Sequence, residues 1–151
     1  MLDALECFAP LPLQEDFDNA GLQVGLTEAE VSGALLCLDV TEEVVEEAIA
    51  RGCNLIVSHH PLIFHGLKCI SDINFVQRTV AKAIKSNITV ASMHTNIDNA
   101  KDGVNFKIAE KMGLGNCRFF AQKQVNGITC GSGVIGEFDH PLSACEFVNM
   151  L

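Results

Sequence analysis

The sequence predicts an α/β fold with a largely parallel sheet, built from strand-helix units and flanked by helices. Three short apolar runs of strand length, at 33–40, 53–58 and 88–93, each precede a segment with helical periodicity. Parallel strands need a long crossover connection, usually a helix, so this alternation favours βαβ units. Ligands of such sheets collect outside the carboxyl ends of the strands. The polar residues that follow each run are therefore the first candidates for function.

The first unit begins with the run from Gly33 to Val40. Its near-continuous apolar character is typical of a strand covered on both faces, so we expect a buried strand. Thr41 can cap the helix that follows, and Glu42 and Glu43 suit its positive N-terminal end. Gly52 is expected just after the end of this helix.

The second and third units place histidines directly after their strands. The run at 53–58 leads into His59-His60-Pro61, where proline ends the strand, and a helix is expected from about 74 to 86. The third run continues into His94-Thr-Asn-Ile-Asp98, for which we expect a loop. Asp102 can then cap a helix that ends near Gly113.

Two segments of different character are expected along the chain. Residues 1–120 are predicted to form an α/β metal-site domain, and residues 121–151 a glycine-bearing strand and the start of a helix. Ser143 and Glu146 form the capping-box pattern that opens this helix. The sequence ends soon afterwards, and so short a helix is marginal by itself. We therefore expect a chain that leads into a missing second half.

Composition argues against a membrane or secreted protein. Hydrophobic residues make up 48% of the chain and the mean hydropathy is +0.26, but every apolar run is far shorter than the roughly 20 residues of a membrane span. The N-terminal residues are acidic, and no apolar signal segment follows them. The seven cysteines include no CxxC pair, which indicates reduced thiols, mostly buried as small hydrophobic residues. We expect a cytoplasmic protein.

The charge balance argues against nucleic acid as a partner. The formal net charge is −9 and the sequence pI is about 4.8, so the averaged field repels phosphate backbones. A small anionic substrate is still compatible with this charge, because bound divalent cations would dominate the field inside a local site.

His59 and His60 are the residues that point most directly to metal chemistry. Neighbouring side chains of an extended segment point in opposite directions, so two adjacent histidines suit two separate ions. Imidazole binds zinc, iron, copper or nickel, and a carboxylate such as Asp98 can bridge two cations. This mixed set predicts a two-metal hydrolytic centre. The alternative is that both histidines only end a strand and bond to backbone or solvent.

Other polar residues at the strand ends have several possible roles. His94 is the candidate catalytic residue, as an acid/base group, but a metal ligand, an orienting group or a plain buried histidine are open alternatives. Asp39 can orient a ligand or simply begin a helix. His65 and His140 lie in loops and are expected to be exposed to solvent.

Four ordered blocks of the sequence resemble one known family, the GTP cyclohydrolase 1 type 2 homologs, which are dinuclear-metal-centre proteins. The resemblance spans nearly the whole chain. The blocks lie at 15–25, 38–41 and 54–64, and at 94–98 followed by 103–105.

This resemblance implies a ligand set, a cofactor and an assembly. His59, His60 and Asp98 match three of the family's metal ligands, and the family site holds two divalent cations per subunit, of the Zn, Fe or Mn class. The subunits form a homohexameric ring. The remaining family ligands are a His and a Glu four residues apart, and no such pair follows Asp98. His140 and Glu146 have the wrong spacing, so weaker or single metal occupancy is expected.

Two functions therefore compete. The first is a metal-dependent hydrolase that activates water against a small substrate, which is nucleotide-like, otherwise phosphorylated, or contains a ring amide. The second is a noncatalytic metal-binding regulatory or scaffold protein that acts through ring assembly.

Overall fold

The computed structural model describes residues 1–151, which divide into two compact units, 1–96 and 97–151. The sequence predicts a change of character at residue 121 instead, and that division into domains stays a prediction. None of the helices combines the length and the apolar character of a segment that spans a bilayer.

The first unit is an α/β layer structure. Its elements are α1 (Leu2–Phe8), a short 3₁₀ helix (Leu11–Leu13), β1 (Gly21–Val24), β2 (Ala34–Cys37), α2 (Glu42–Ala50), β3 (Leu55–Ser58), α3 (Phe75–Lys85) and β4 (Thr89–Ser92). The next helix, α4 (Thr95–Asn99), contains the boundary between the units. The residues between His94 and Asp98 are therefore helical, and the predicted loop over this segment is wrong.

The four strands form one sheet in the order β1-β4-β3-β2. Strands β2, β3 and β4 are parallel, and β1 pairs antiparallel with β4. This confirms the largely parallel sheet and its βαβ units. Cys37 pairs with Ser58, and Ser58 with Ser92, so the three parallel strands end at the same level. The residues that follow these strands in sequence therefore leave the sheet at the same end.

The core of this unit lies between the sheet and helices α2 and α3. Ile56 and Val90 occupy the two central strands and are fully buried. Each such side chain contributes roughly 1.5–3 kcal/mol when it is removed from water. The other buried members of the cluster are Val24, Val40, Val45, Ala48, Leu62, Val80, Ala83 and Ile88.

Both helices of this layer begin at side-chain caps. The Thr41 hydroxyl accepts a hydrogen bond from the Val44 amide at 3.3 Å, as predicted from the sequence. Asn74 does the same for α3, accepting from the Gln77 amide at 3.0 Å. Such caps satisfy amide donors that have no partner inside the helix.

Two expectations about burial are wrong. β2 is an edge strand with one covered face: Leu35 and Cys37 pack on the core, whereas Leu36 is 74% exposed on the opposite face. An apolar run does not reveal whether its strand is central or at an edge. Nor are the cysteines mostly buried, since only Cys130 is buried and the side chains of three others are exposed.

The second unit is built around a β-hairpin. Its elements are α5 (Val104–Lys111), β5 (Gly115–Val125), β6 (Ile128–Glu137) and α6 (Ala144–Met150). β5 and β6 pair antiparallel through a turn at Asn126-Gly127, where both residues have positive φ, as a tight hairpin turn requires. The ring of Phe106 packs edge-on against Phe119, with centroids 4.9 Å apart, which places α5 on the hairpin.

The helix caps of this unit match the prediction at one position and not at another. Ser143 and Glu146 form the complete capping box expected at the start of α6. The predicted cap at Asp102 is wrong, because Asp102 adopts φ 63° and Gly103 is the N-cap of α5. A Cβ at Gly103 would lie 1.9 Å from the Ile97 carbonyl oxygen, so only glycine fits there.

Candidate metal centre

Three imidazoles converge at the edge of the sheet where the parallel strands end. His59 and His60 follow β3, and His94 follows the neighbouring strand β4. Their ring centroids are separated by 5.0 to 5.6 Å. One ligand nitrogen from each ring lies within 4.8 Å of those of the other two. The sequence-predicted histidines are therefore brought together in space.

The hydrogen-bond partners of these rings fix their tautomers. The Nδ1 atom of His59 lies 2.9 Å from the Met93 carbonyl oxygen, which can only accept. The Nδ1 atoms of His60 and His94 each lie 2.8 Å from a carboxylate oxygen. In all three rings Nδ1 must therefore carry a hydrogen, and in a neutral ring Nε2 then keeps its lone pair. This is the tautomer that binds metal through Nε2.

Asp39 is the partner of His60. It follows the edge strand β2, and its side chain is 63% exposed. The amides of His59 and His60 donate to the carbonyls of Cys37 and Leu38, at 3.1 and 2.9 Å, and continue the parallel pairing past the strand ends. This continuation brings the Asp39 carboxylate beside the His60 ring, in the orienting position that the sequence left as one alternative.

Asp18 is the partner of His94, and sequence reasoning did not single it out. Its side chain is 0% exposed. Burial raises the pKa of Asp18. Hydrogen bonds from the Thr95 and His94 side chains and from the Asn19 and Thr95 amides together lower it by more than burial raises it, so its pKa lies below the usual value. The only sequence signal for Asp18 is its place in the first family-like block, 15–25.

Asp98, His65 and His140 are the remaining sequence candidates. Asp98 belongs to the second unit, where its backbone carbonyl accepts a hydrogen bond from Asn105 at 3.0 Å, and its role as a ligand stays a prediction. His65 and His140 are exposed, as expected.

The donor set of the imidazole cluster fits a divalent transition metal. Neutral imidazole nitrogens bind zinc at about 2.0–2.1 Å. Two nitrogens on one tetrahedral zinc ion lie about 3.4 Å apart. The nitrogens of this cluster lie within 4.8 Å of one another, so they can meet on one ion after ring movements of about 1 Å, or be divided between two ions. The carboxylates of Asp18 and Asp39, placed behind two of the rings, offset part of the charge of a bound cation.

Comparisons with known proteins agree with this fold. The family model of Duf34/NIF3 (NGG1p interacting factor 3) matches residues 1–151. Proteins named GTP cyclohydrolase 1 type 2 homolog are similar: that of Clostridium acetobutylicum is 36% identical over 146 residues, which is 97% of this chain and 54% of the relative. That of Clostridium perfringens is 35% identical over 151 residues, 100% of this chain and 57% of the relative.

A solved structure shares the architecture as well. The crystal structure of Staphylococcus aureus hypothetical protein SA1388 superposes with a TM-score of 0.89 at 31% identity, covering 99% of this chain and 61% of that chain. The chain spans about half the length of the curated relatives it matches.

Proposed function

The chain belongs to the Duf34/NIF3 family, and from this premise we propose that it binds divalent metal through His59, His60 and Asp98 for hydrolytic chemistry. The observation that carries the proposal is the cluster of three histidines whose Nδ1 atoms all lie within 2.9 Å of an acceptor oxygen. Rings fixed in this way present Nε2 as a ligand atom.

Each proposed residue has one task. His59 and His60 would hold divalent cations of the Zn, Fe or Mn class through their Nε2 atoms, and Asp98 would hold them through its carboxylate. When bound, these cations supply a water nucleophile at neutral pH and stabilise the charge that develops on the substrate. His94 holds its Nε2 lone pair toward the same space and accepts a proton there.

The proposed substrate is a small molecule that is phosphorylated or contains a ring amide. The names of the relatives make GTP the first compound to test. The family resemblance also supports a homohexameric ring as the working assembly. Both proposals concern the intact protein, because the chain spans only about half of its relatives.

Metal analysis of purified variants tests the binding proposal. We expect His59→Ala and Asp98→Asn to lower zinc affinity at least about tenfold, the scale of loss when groups around a metal are removed. His140→Ala and Asp139→Asn are the matched controls, because both residues are exposed. Zinc binding by His59→Ala as tight as by His140→Ala would contradict the proposal.

A second measurement separates the hydrolase from the noncatalytic alternative. GTP turnover is followed by guanine absorbance and phosphate release, with zinc, iron or manganese supplied. A hydrolase loses turnover in the His94→Gln variant while the metal stays bound. A regulatory or scaffold protein would show no turnover at any metal content, and its assembly would persist with the site emptied.

A further inference from the structure

The carboxylate of Asp18 is saturated by donors. Its Oδ1 accepts from the Asn19 amide at 2.7 Å and from His94 Nδ1 at 2.8 Å. Its Oδ2 accepts from the Thr95 amide at 3.0 Å and from the Thr95 hydroxyl. A carboxylate has about four acceptor positions, so all of them are used.

The residues around Asp18 hold this carboxylate in place. The Thr95 hydroxyl, which donates to Asp18, also accepts from the Glu15 amide at 2.9 Å. The Gln14 side chain accepts a hydrogen bond from the Ala20 amide at 2.9 Å, which joins the two ends of the segment that contains Asp18. The carboxylate is therefore fixed to the end of β4 by bonds on both of its oxygens.

This arrangement leaves His94 one tautomer. The carboxylate is anionic and can only accept, so the hydrogen of the His94 ring must lie on Nδ1. The ring is then turned with Nε2 away from Asp18. The rings of His59 and His60 lie beside the His94 ring, with centroids at 5.2 and 5.6 Å.

The orienting groups behind the three rings are not equivalent. Asp39 holds His60 with the same 2.8 Å separation, but its side chain is 63% exposed and water competes for the bond. His59 bonds to a neutral carbonyl. Only His94 bonds to a fully buried carboxylate, where charge-assisted hydrogen bonds are strongest.

The geometry points to Asp18 as the positioning residue of the centre: its buried carboxylate locks His94 in the Nδ1–H tautomer and directs Nε2 into the space shared with His59 and His60. The use of that lone pair in proton transfer rests on the proposed function. The lock itself is a property of the metal-free chain.

Long-range ¹H–¹⁵N spectra of the histidine rings test this proposal in the metal-free protein. We expect His94 to be Nδ1–H, with a slowly exchanging proton. In Asp18→Asn the neutral amide replaces the anion, so this proton should be lost or exchange at least about tenfold faster. His59, which bonds to a backbone carbonyl, should keep its signal and so reports that the fold is intact.

Thr95→Val tests whether the orientation of His94 depends on the Asp18 carboxylate itself or on the other hydrogen bonds of the segment around it. This variant removes the hydroxyl that ties Asp18 to Glu15 but keeps the bond between Asp18 and His94. We expect its His94 proton to behave as in the wild type. The proposal is overturned if wild-type His94 is the Nε2–H tautomer, or if Thr95→Val disturbs the ring as much as Asp18→Asn.

If Asp18→Asn does not fold, the wild-type protein still decides the question, because an Nε2–H tautomer of His94 overturns the proposal. A failure of zinc binding would overturn the proposed function and leave these spectra unchanged, so the two failures are distinguishable.

Discussion

Replacing Asp18 and Asp39 by asparagine compares a buried carboxylate that accepts four hydrogen bonds with an exposed carboxylate that holds one histidine. Each accepts a hydrogen bond from a histidine Nδ1 at 2.8 Å, but the Asp18 side chain is 0% exposed and that of Asp39 is 63% exposed. We expect Asp18→Asn to destabilise the protein strongly and Asp39→Asn only slightly. The same chemical change is made at both positions, so the difference in the loss of stability reports the burial of Asp18 together with its additional donors.

The expected loss of unfolding free energy in Asp18→Asn follows from the donors around Asp18. An asparagine side chain has one acceptor oxygen, so its NH₂ group must face two of the four donors. The Thr95 or His94 side chain can reverse and accept, whereas a backbone amide cannot. One buried amide left unpaired costs about 1–3 kcal/mol, and the weaker remaining bonds add about 1 kcal/mol. The expected loss is about 2–4 kcal/mol, against about 0.2–1 kcal/mol at the exposed Asp39.

Urea unfolding followed by circular dichroism measures both losses. At an unchanged slope, the midpoint shift reports the change in stability. For a chain of this size each kcal/mol moves the thermal midpoint by about 2–4 °C, so Asp18→Asn should lower it by about 4–16 °C. Equal losses in the two variants would refute the reasoning, because burial would then have no effect.

The stability that Asp18 contributes should decrease as the pH falls. Burial raises the pKa of Asp18, but its four hydrogen bonds lower it more, so the folded pKa lies below the unfolded value of about 3.9. A depressed pKa contributes stability that is present above the unfolded pKa and is lost as the pH falls through the folded one. The difference in unfolding free energy between wild type and Asp18→Asn should therefore be largest at neutral pH and become smaller below about pH 4.

Three further predictions follow from other parts of the structure. Gly103→Ala should abolish stable folding of the second unit, measured by circular dichroism, because its Cβ would lie 1.9 Å from the Ile97 carbonyl oxygen. Thr41→Ala should cost about 1 kcal/mol of unfolding free energy through loss of the cap of α2, measured in urea. Zinc added to the protein should shift the Nε2 resonances of His59 and His60 while their Nδ1 protons persist, since those protons face acceptors.

Each of these predictions has a control and a contrary outcome. Gly66→Ala meets nothing within 4 Å and should fold normally, and a folded Gly103→Ala would contradict the packing described for α5. Thr27 caps no helix, so Thr27→Ala should leave stability nearly unchanged. His140 should show no zinc shift, and a shift at the Nδ1 atom of His59 would contradict the tautomer assignment.

The strand-helix units could be read from the sequence because their signals are local. The cap at Thr41 and the apolar periodicity of α2 and α3 depend on residues within one or two turns. The strands that precede His59 and His94 are short apolar runs with clear ends. Placing both histidines at one edge of the sheet needed only the rule that parallel strands end together.

Features that depend on distant parts of the chain could not be read in this way. β1 has four residues, contains a register irregularity and is not preceded by a strand-helix pattern. The bond between Asp18 and His94 joins residues 76 positions apart. Whether β2 is central or at an edge is set by the strand order, which explains why the exposure of Leu36 was not predicted.

The common level at which β2, β3 and β4 end also determines where the chain tolerates changes in length. One residue inserted between Ser58 and His59 would exchange the directions of the two imidazoles, because successive residues of an extended segment face opposite sides. Gly52 and Asn87 lie in turns that precede the amino-terminal ends of β3 and β4. Insertions after either residue leave the number of residues between the strand and its histidine unchanged. Engineering of new loops on this scaffold should therefore start at those two turns.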